Sequence, residues 1–367
     1  MKVEYAYLIK QFGNAEHILK AVGELLQTGD FTIGRSLAEF EARFAKLCQT
    51  KQAIGVNSGT DALFLAMKAL EIGPGDEVIT APNSFIATAG AIALTGAKPV
   101  FVDVSNDYNI DTGLIERAVT PRTKAILPVH LTGNPADITT IMEIAVKHNL
   151  HVVEDCAQAV NASINGNSVG SFGIAGCFSM HPLKNLNVWG DGGVITTNSQ
   201  ELHAKLILMR NHGLRNRDEC DFFSNNSRLD TIQALVALQI MDDLDSITRT
   251  RINNAQTYDS GLAKLSGFIS IPSRQKNVRQ VYHQYVVRAK ERDKLIDYLA
   301  ENGIEAKIHY PIPIHLQRAS RYLGYKKGDF PECEAQAKSI VSLPIHQYLA
   351  KEQLDYVIDT IVRFYGG

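Results

Sequence analysis

The sequence predicts an α/β protein: a large domain on a mostly parallel sheet, residues 1–249, followed by a smaller α+β domain, residues 250–367. Three observations point there. Between residues 53 and 197, short apolar strands alternate with helical stretches. Those strands are β-branched and lack apolar–polar alternation, as expected when helices cover both faces of a sheet. The chain's 367 residues also exceed the size at which one core usually stops growing, so a second core is expected.

In chain order, residues 15–26 place Ile18, Leu19, Val22, Leu25 and Leu26 on one helical face. Leu37, Phe40, Phe44 and Leu47 repeat that spacing in a second helix. A short strand at 53–56 leads through Asn57-Ser58-Gly59-Thr60-Asp61 into a helix over 62–70. Strands follow at 77–81, 99–104, 125–129 and 151–155, with helices over 85–95 and 138–148 between them. The strand at 175–179 runs into Met180-His181-Pro182-Leu183-Lys184, and Gly192-Gly193 permits a sharp return into a strand at 194–197. A helix over 200–211 precedes a polar stretch, 213–228, too long for a tight turn and expected to be a functional loop or a subunit contact. A long helix over 229–252 bridges to the C-terminal part. There, strands at 281–289 and 306–310 flank a helix over 290–302.

Composition narrows the function classes. A formal charge of −2 gives no general case for nucleic acid or an anionic membrane as partner. No apolar run approaches the roughly 20 residues needed to cross a bilayer, and Met1-Lys2-Val3-Glu4-Tyr5 lacks an apolar signal core. Cys48, Cys156, Cys177, Cys220 and Cys333 are scattered, with no Cys-x-x-Cys, a spacing that supports neither a zinc site nor a disulfide framework. A cytoplasmic protein without a metal is the expectation.

Ligands of parallel sheets sit beyond the carboxyl ends of the strands, and the chemically interesting segments fall there. Ser58-Gly59-Thr60 joins a strand to a helix N-terminus, where unpaired N–H groups favour an anion; the same pattern also reads as a plain cap formed by Thr60 or Asp61. Asn83-Ser84-Phe85 and Asp155 to Gln158 lie at two further strand ends. Pro182 predicts that Lys184 leaves its strand on a stiff, extended segment. A lysine fixed and partly desolvated in this way can act as a covalent catalyst. Alone, a lysine beside a Gly-rich turn is far more often a solvated loop residue, roughly nine times in ten.

Together these segments resemble one family. Asn57-Ser58-Gly59-Thr60-Asp61-Ala62-Leu63, Phe85-Ile86-Ala87-Thr88-Ala89, Glu154-Asp155-Cys156-Ala157-Gln158 and Phe178-Ser179-Met180-His181-Pro182-Leu183-Lys184 occur in that order. Gly190-Asp191-Gly192-Gly193, Asn226-Ser227-Arg228-Leu229 and His309-Tyr310-Pro311-Ile312-Pro313-Ile314-His315 complete the set. The chain is similar over residues 34–348 to the DegT/DnrJ/EryC1/StrS sugar aminotransferases, which use pyridoxal 5′-phosphate (PLP) on the fold type I scaffold with a seven-stranded, mostly parallel sheet. The resemblance implies that Lys184 holds PLP as a Schiff base and moves the proton. It implies that Asp155 pairs with the pyridine nitrogen, Gln158 lies near the ring hydroxyl and Phe85 stacks on the ring. Gly59, Thr60 and Ser179 then cradle the phosphate, and Asn226 reaches the phosphate of a neighbouring subunit in a homodimer with a composite site. His181, His309, Tyr310 and His315 lie where relatives contact the sugar.

The implied reaction moves an amino group from L-glutamate to a nucleotide-linked keto-sugar, with pyridoxamine 5′-phosphate between the two half-reactions. Asp61 and Asp191 resemble relatives that aminate C3 rather than C4. The chain departs from the family pattern at Met180, at Thr132 and at Val160-Asn161, which bears on the substrate rather than the cofactor. Among alternatives is a PLP-dependent dehydratase of the same family; the resemblance implies a histidine at the lysine position in that branch, and Lys184 argues against it. A non-catalytic regulatory protein would not need Asp155, Gln158, Ser179 and Lys184 together. A dinucleotide enzyme would carry Gly-x-Gly-x-x-Gly after its first strand, which is absent.

Overall fold

The computed structural model describes residues 1–366. Seven strands form the central sheet: β1 Gln52–Val56, β2 Glu77–Thr80, β3 Lys98–Phe101, β4 Thr123–Ile126, β5 His151–Asp155, β6 Ala175–Ser179 and β7 Gly193–Thr197. Their spatial order is β1-β7-β6-β5-β4-β2-β3. Of the six neighbouring pairings, the two that β7 makes with β1 and β6 are antiparallel, and the remaining four are parallel. The implied seven-stranded, mostly parallel sheet is therefore present. Every residue of β2 and β7 is buried, which explains why these strands show no alternation in sequence.

A second, antiparallel sheet forms from β8 Ile269–Ser270, β9 Tyr285–Ala289 and β10 Ile340–Leu343. The helix Thr231–Leu262 joins the two units. Its first half packs Ala234, Leu238 and Leu244 with Leu37, Phe40 and Phe44. Its second half packs Ala255, Tyr258 and Leu262 with Leu295 and Val341. Sequence order does not track the cores: Val3 joins the second core, whereas Ile314, Phe330 and Cys333 pack with Ile79, Phe101 and Ile126 beside the main sheet.

Several expectations need correction. The long helix runs ten residues past 252, because Ala255, Tyr258 and Leu262 continue its buried spacing behind a polar outer face. Residues 306–310 form no strand; only Lys307 bridges to Ser342 before the two prolines turn the chain away. Lys184 is not on an extended segment either, since its N–H donates to the His181 carbonyl at 2.8 Å and closes a turn. In the helix Glu16–Thr28, Ile18 and Leu25 are buried, but Leu19 and Leu26 flank the stripe and stay exposed. The helix Lys351–Phe364 was not read from the sequence at all, nor were the helix Pro331–Ser339 and β10. All five cysteines are free, and no helix among the described residues is long and apolar enough to cross a membrane.

Candidate active site

The carboxyl ends of β1, β5 and β6 meet at one cavity of about 390 Å³. Its floor depends on a close backbone approach. In the sheet register Gly193 pairs with both Val56 and Ser179, and a Cβ on Gly193 would lie 2.1 Å from the Ser58 carbonyl oxygen. Only glycine lets β7 return there, between the turn after β1 and the lysine segment after β6.

After β1, Ser58 is extended, and its hydroxyl accepts from the Asp61 N–H at 3.1 Å, capping the helix Gly59–Ala69. The cap is thus Ser58, not Thr60 or Asp61. That leaves Gly59 and Thr60 on the cavity wall, at the end of a helix whose first N–H groups have no intrahelical partner. Gly59 is also sterically required: a Cβ would lie 2.6 Å from Cβ of Ser179. Asp61 faces elsewhere, accepting from the Ser227 hydroxyl at 2.6 Å.

At the end of β5, neighbouring side chains point to opposite faces. Glu154 is buried within the scaffold, accepting from the N–H groups of Gly170, Phe172 and Gly173 and meeting His130 at 3.0 Å. Asp155 faces the cavity. Its Oδ2 accepts from the Thr88 hydroxyl at 2.8 Å and its Oδ1 from the Ala157 N–H at 3.1 Å. Burial raises its carboxyl above the usual range, opposed by those two hydrogen bonds and by Lys184.

Lys184 borders the same cavity. Burial pushes its amine down to about 8, with Asp155 pulling the other way. The loop that presents it is tied from behind: the Tyr7 hydroxyl donates to the Lys184 carbonyl at 3.0 Å, the Asn185 amide to the Val281 carbonyl at 3.0 Å, and Asn187 pairs reciprocally with Gln11. Phe85, a residue that could have been core, is instead 52% exposed at the cavity mouth, 5.8 Å from the Tyr310 ring. Gln158 is fixed by the Thr132 N–H, which donates to its Oε1 at 2.6 Å, while its amide reaches the Tyr310 hydroxyl at 3.4 Å.

His181, His309 and Tyr310 also line the cavity. His309 meets the Ser342 hydroxyl at 3.0 Å, and burial lowers it to about 4. His315 does not belong to the cavity: it is 2% exposed and bonds Glu334 at 3.1 Å, on the far side of the Pro311–Pro313 turn. Asn226 lies outside this chain's cavity too, exposed on the polar loop and bridged to Asn211. Sequence reasoning missed Thr88, the partner of Asp155, although it quoted the segment that holds it. It also missed His283 and Gln284, which line the cavity ahead of β9; a polar pair at a strand start was the available signal.

Residues 13–362 match the DegT/DnrJ/EryC1/StrS aminotransferase family. The chain belongs to that family. Over 350 residues it is 43% identical to the "Pleiotropic regulatory protein" of Geobacillus stearothermophilus, covering 95% of this chain and 94% of that one. Over 342 residues it is 42% identical to the dTDP-3-amino-3,4,6-trideoxy-alpha-D-glucose transaminase of Streptomyces venezuelae, covering 93% and 90%. The crystal structure of S. venezuelae DesV in complex with a ketimine intermediate superposes with a TM-score of 0.97 at 40% identity, covering 100% of this chain and 99% of that chain.

As a DegT/DnrJ/EryC1/StrS member the chain is a PLP-dependent aminotransferase. Its own residues fit that cofactor. The helix N-terminus at Gly59 and Thr60, with Ser179 packed against Gly59, offers N–H and hydroxyl donors to a phosphate, the exposed Phe85 ring offers a stacking face, and a buried acid and an amine of lowered basicity face one space.

Proposed function

We propose that this enzyme transfers an amino group from L-glutamate to C3 of a nucleotide-linked 3-keto hexose, as a homodimer in the cytoplasm. The observation that carries the reading is the sharing of one cavity by an amine lowered to about 8 and a buried carboxylate. PLP, when bound, supplies an electron sink for the carbanion at the donor's α-carbon. Asp155 would sit against its ring nitrogen and keep it protonated, Phe85 would cover a ring face, and Gln158 would lie by the ring hydroxyl. Gly59, Thr60 and Ser179 would take the phosphate, joined by Asn226 of the other subunit.

Lys184 is the mobile proton carrier. Its Nζ removes a proton from the donor's α-carbon as general base; in the second half-reaction it delivers one to the carbon of the keto-sugar being aminated. An amine lowered to about 8 suits both directions near neutral pH. His181, His309 and Tyr310 face the space left for the sugar. The C3 assignment rests on the 3-amino product named for the S. venezuelae relative and on Asp191, which lines the cavity; Asp61 contributes less, being held by Ser227.

The regulatory name of one relative favours a second reading, a non-catalytic protein. The retained Lys184, Asp155 and Phe85 favour catalysis. The deciding experiment incubates the enzyme with PLP, L-glutamate and a panel of 3-keto and 4-keto nucleotide sugars, and measures 2-oxoglutarate. Turnover confined to 3-keto sugars is expected; turnover only with 4-keto sugars would move the reaction to C4, and no turnover with a colourless protein would support the regulatory reading.

A further inference from the structure

Behind the lysine loop the cavity continues into a side chamber of about 70 Å³, sharing Leu183, His283, Gln284 and His309 with it. The chamber's inner wall is Arg251 of the long helix, only 1% exposed. Its Nη1 donates to the Tyr282 carbonyl at 3.0 Å and its Nε to Gln347 at 3.2 Å, and the guanidinium lies 5.3 Å over the Tyr7 ring. None of the ion pairs among the described residues includes Arg251, and burial pushes its guanidinium below the ordinary arginine value. A buried guanidinium without an acid is costly to keep.

Two further polar atoms at this chamber are unpartnered. The Tyr5 hydroxyl is buried without a hydrogen bond, beside a Ser342 hydroxyl already engaged by His309. Nδ1 of His283 is likewise buried and unpaired, on the wall common to both spaces. No acidic residue lines the chamber, whereas the main cavity carries Asp155 and Asp191. A cation and a hydroxyl donor converging on a small space, with no anion of the protein's own, are complementary to a carboxylate.

We propose that this chamber binds the distal carboxylate of a dicarboxylic amino-acid donor, with Arg251 and the Tyr5 hydroxyl as its hydrogen-bond donors, while the donor's α-carbon lies in the main cavity within reach of the freed Lys184 amine. The assignment rests on the aminotransferase reading above and gives that reaction a basis for choosing its amino donor. A carboxylate on the sugar would offer the same chemistry, so the test separates the two half-reactions.

The test uses the PLP-loaded enzyme and Tyr5→Phe, which keeps the ring and deletes one hydroxyl. Conversion of the bound cofactor to its amine form is followed by absorbance with L-glutamate and with L-alanine in single turnovers. Wild type is expected to prefer glutamate, and Tyr5→Phe to raise the concentration of glutamate needed for half-maximal conversion about tenfold while leaving alanine unchanged. Arg251→Gln, if it folds, should remove the preference altogether. Equal effects on both donors, or none, would overturn the chamber assignment while leaving the aminotransferase intact. So would a change confined to the keto-sugar half-reaction, which would give the chamber to the sugar. If wild type converts neither amino acid, the aminotransferase reading itself fails, and the chamber assignment with it.

Discussion

Gly59 and Ser179 come so close that a methyl group on the glycine would sit 2.6 Å from the serine Cβ. The contact is between the turn after β1 and the end of β6, so neither side can yield without moving the sheet. Gly59→Ala is therefore expected to weaken PLP binding by at least about tenfold through overpacking. Thr60→Ala removes one hydroxyl and adds nothing, and should cost less. Titration of the cofactor-free protein with PLP, followed by absorbance, ranks the two; the reverse order would show that the turn is not a tight cradle.

Phe85 is a large apolar side chain left half in solvent at the mouth of the cavity. If its work is to stack on a ligand, Phe85→Ala should change the stability of the cofactor-free protein by no more than about 0.5 kcal/mol. Its affinity for PLP should nonetheless fall by roughly tenfold. Thermal melting without cofactor and a PLP titration separate these. A large drop in melting temperature without any loss of affinity would make Phe85 a packing residue.

The depressed amine of Lys184 sets a pH dependence. With its ionisation near 8, roughly one amine in ten is neutral at pH 7, against roughly one in three thousand for an ordinary lysine. Only the neutral form attacks an aldehyde, so the rate of PLP uptake by the cofactor-free protein should climb with pH and level off above about 8. Asp155 raises that ionisation, so Asp155→Asn should move the plateau to lower pH. The same variant should lose transamination by at least about a hundredfold, because the ring nitrogen would no longer be held protonated. A plateau that shifts upward would contradict the charge coupling of the two residues.

Asn226 is exposed on its own chain and outside its own cavity. A role at the phosphate of a second subunit predicts that Asn226→Ala and Lys184→Ala, each impaired alone, complement one another. Mixed subunits would place both defects in one site and none in the other. Random reassociation should recover about a quarter of wild-type activity. Activity of the mixture no higher than the mean of the two variants would mean that each chain builds its site by itself.

Much of the site was legible because its parts sit where parallel strands end. The βα rhythm puts Asp155 at a strand end, the family resemblance implies that it shares a site with Lys184, and the structure has both on one cavity. His315 lies off the cavity because Glu334, to which it bonds, belongs to a helix that the sequence pattern does not reveal. That helix, Pro331–Ser339, has few apolar residues and so little periodicity to detect. The C-terminal helix is different: Leu354, Val357, Ile358 and Ile361 repeat at helical spacing and are buried, a pattern that was available. Residues 306–310 carry strand-forming side chains but make a single bridge, since β-propensity reflects packing context more than backbone preference. The isolation of Arg251 could not be read locally, because its surroundings come from residues 5, 7, 282 and 347.

The hydroxyl of Tyr7 holds the carbonyl of Lys184, and the segment before it is anchored where Val3 meets Ile304. Synthesis therefore delivers the first seven residues long before the segment that fastens them. On the ribosome the main sheet can assemble while the wall behind the lysine is still missing. Vitamin B6 capture should accordingly be among the last events of maturation, once the C-terminal third has left the exit tunnel and folded back onto the amino terminus.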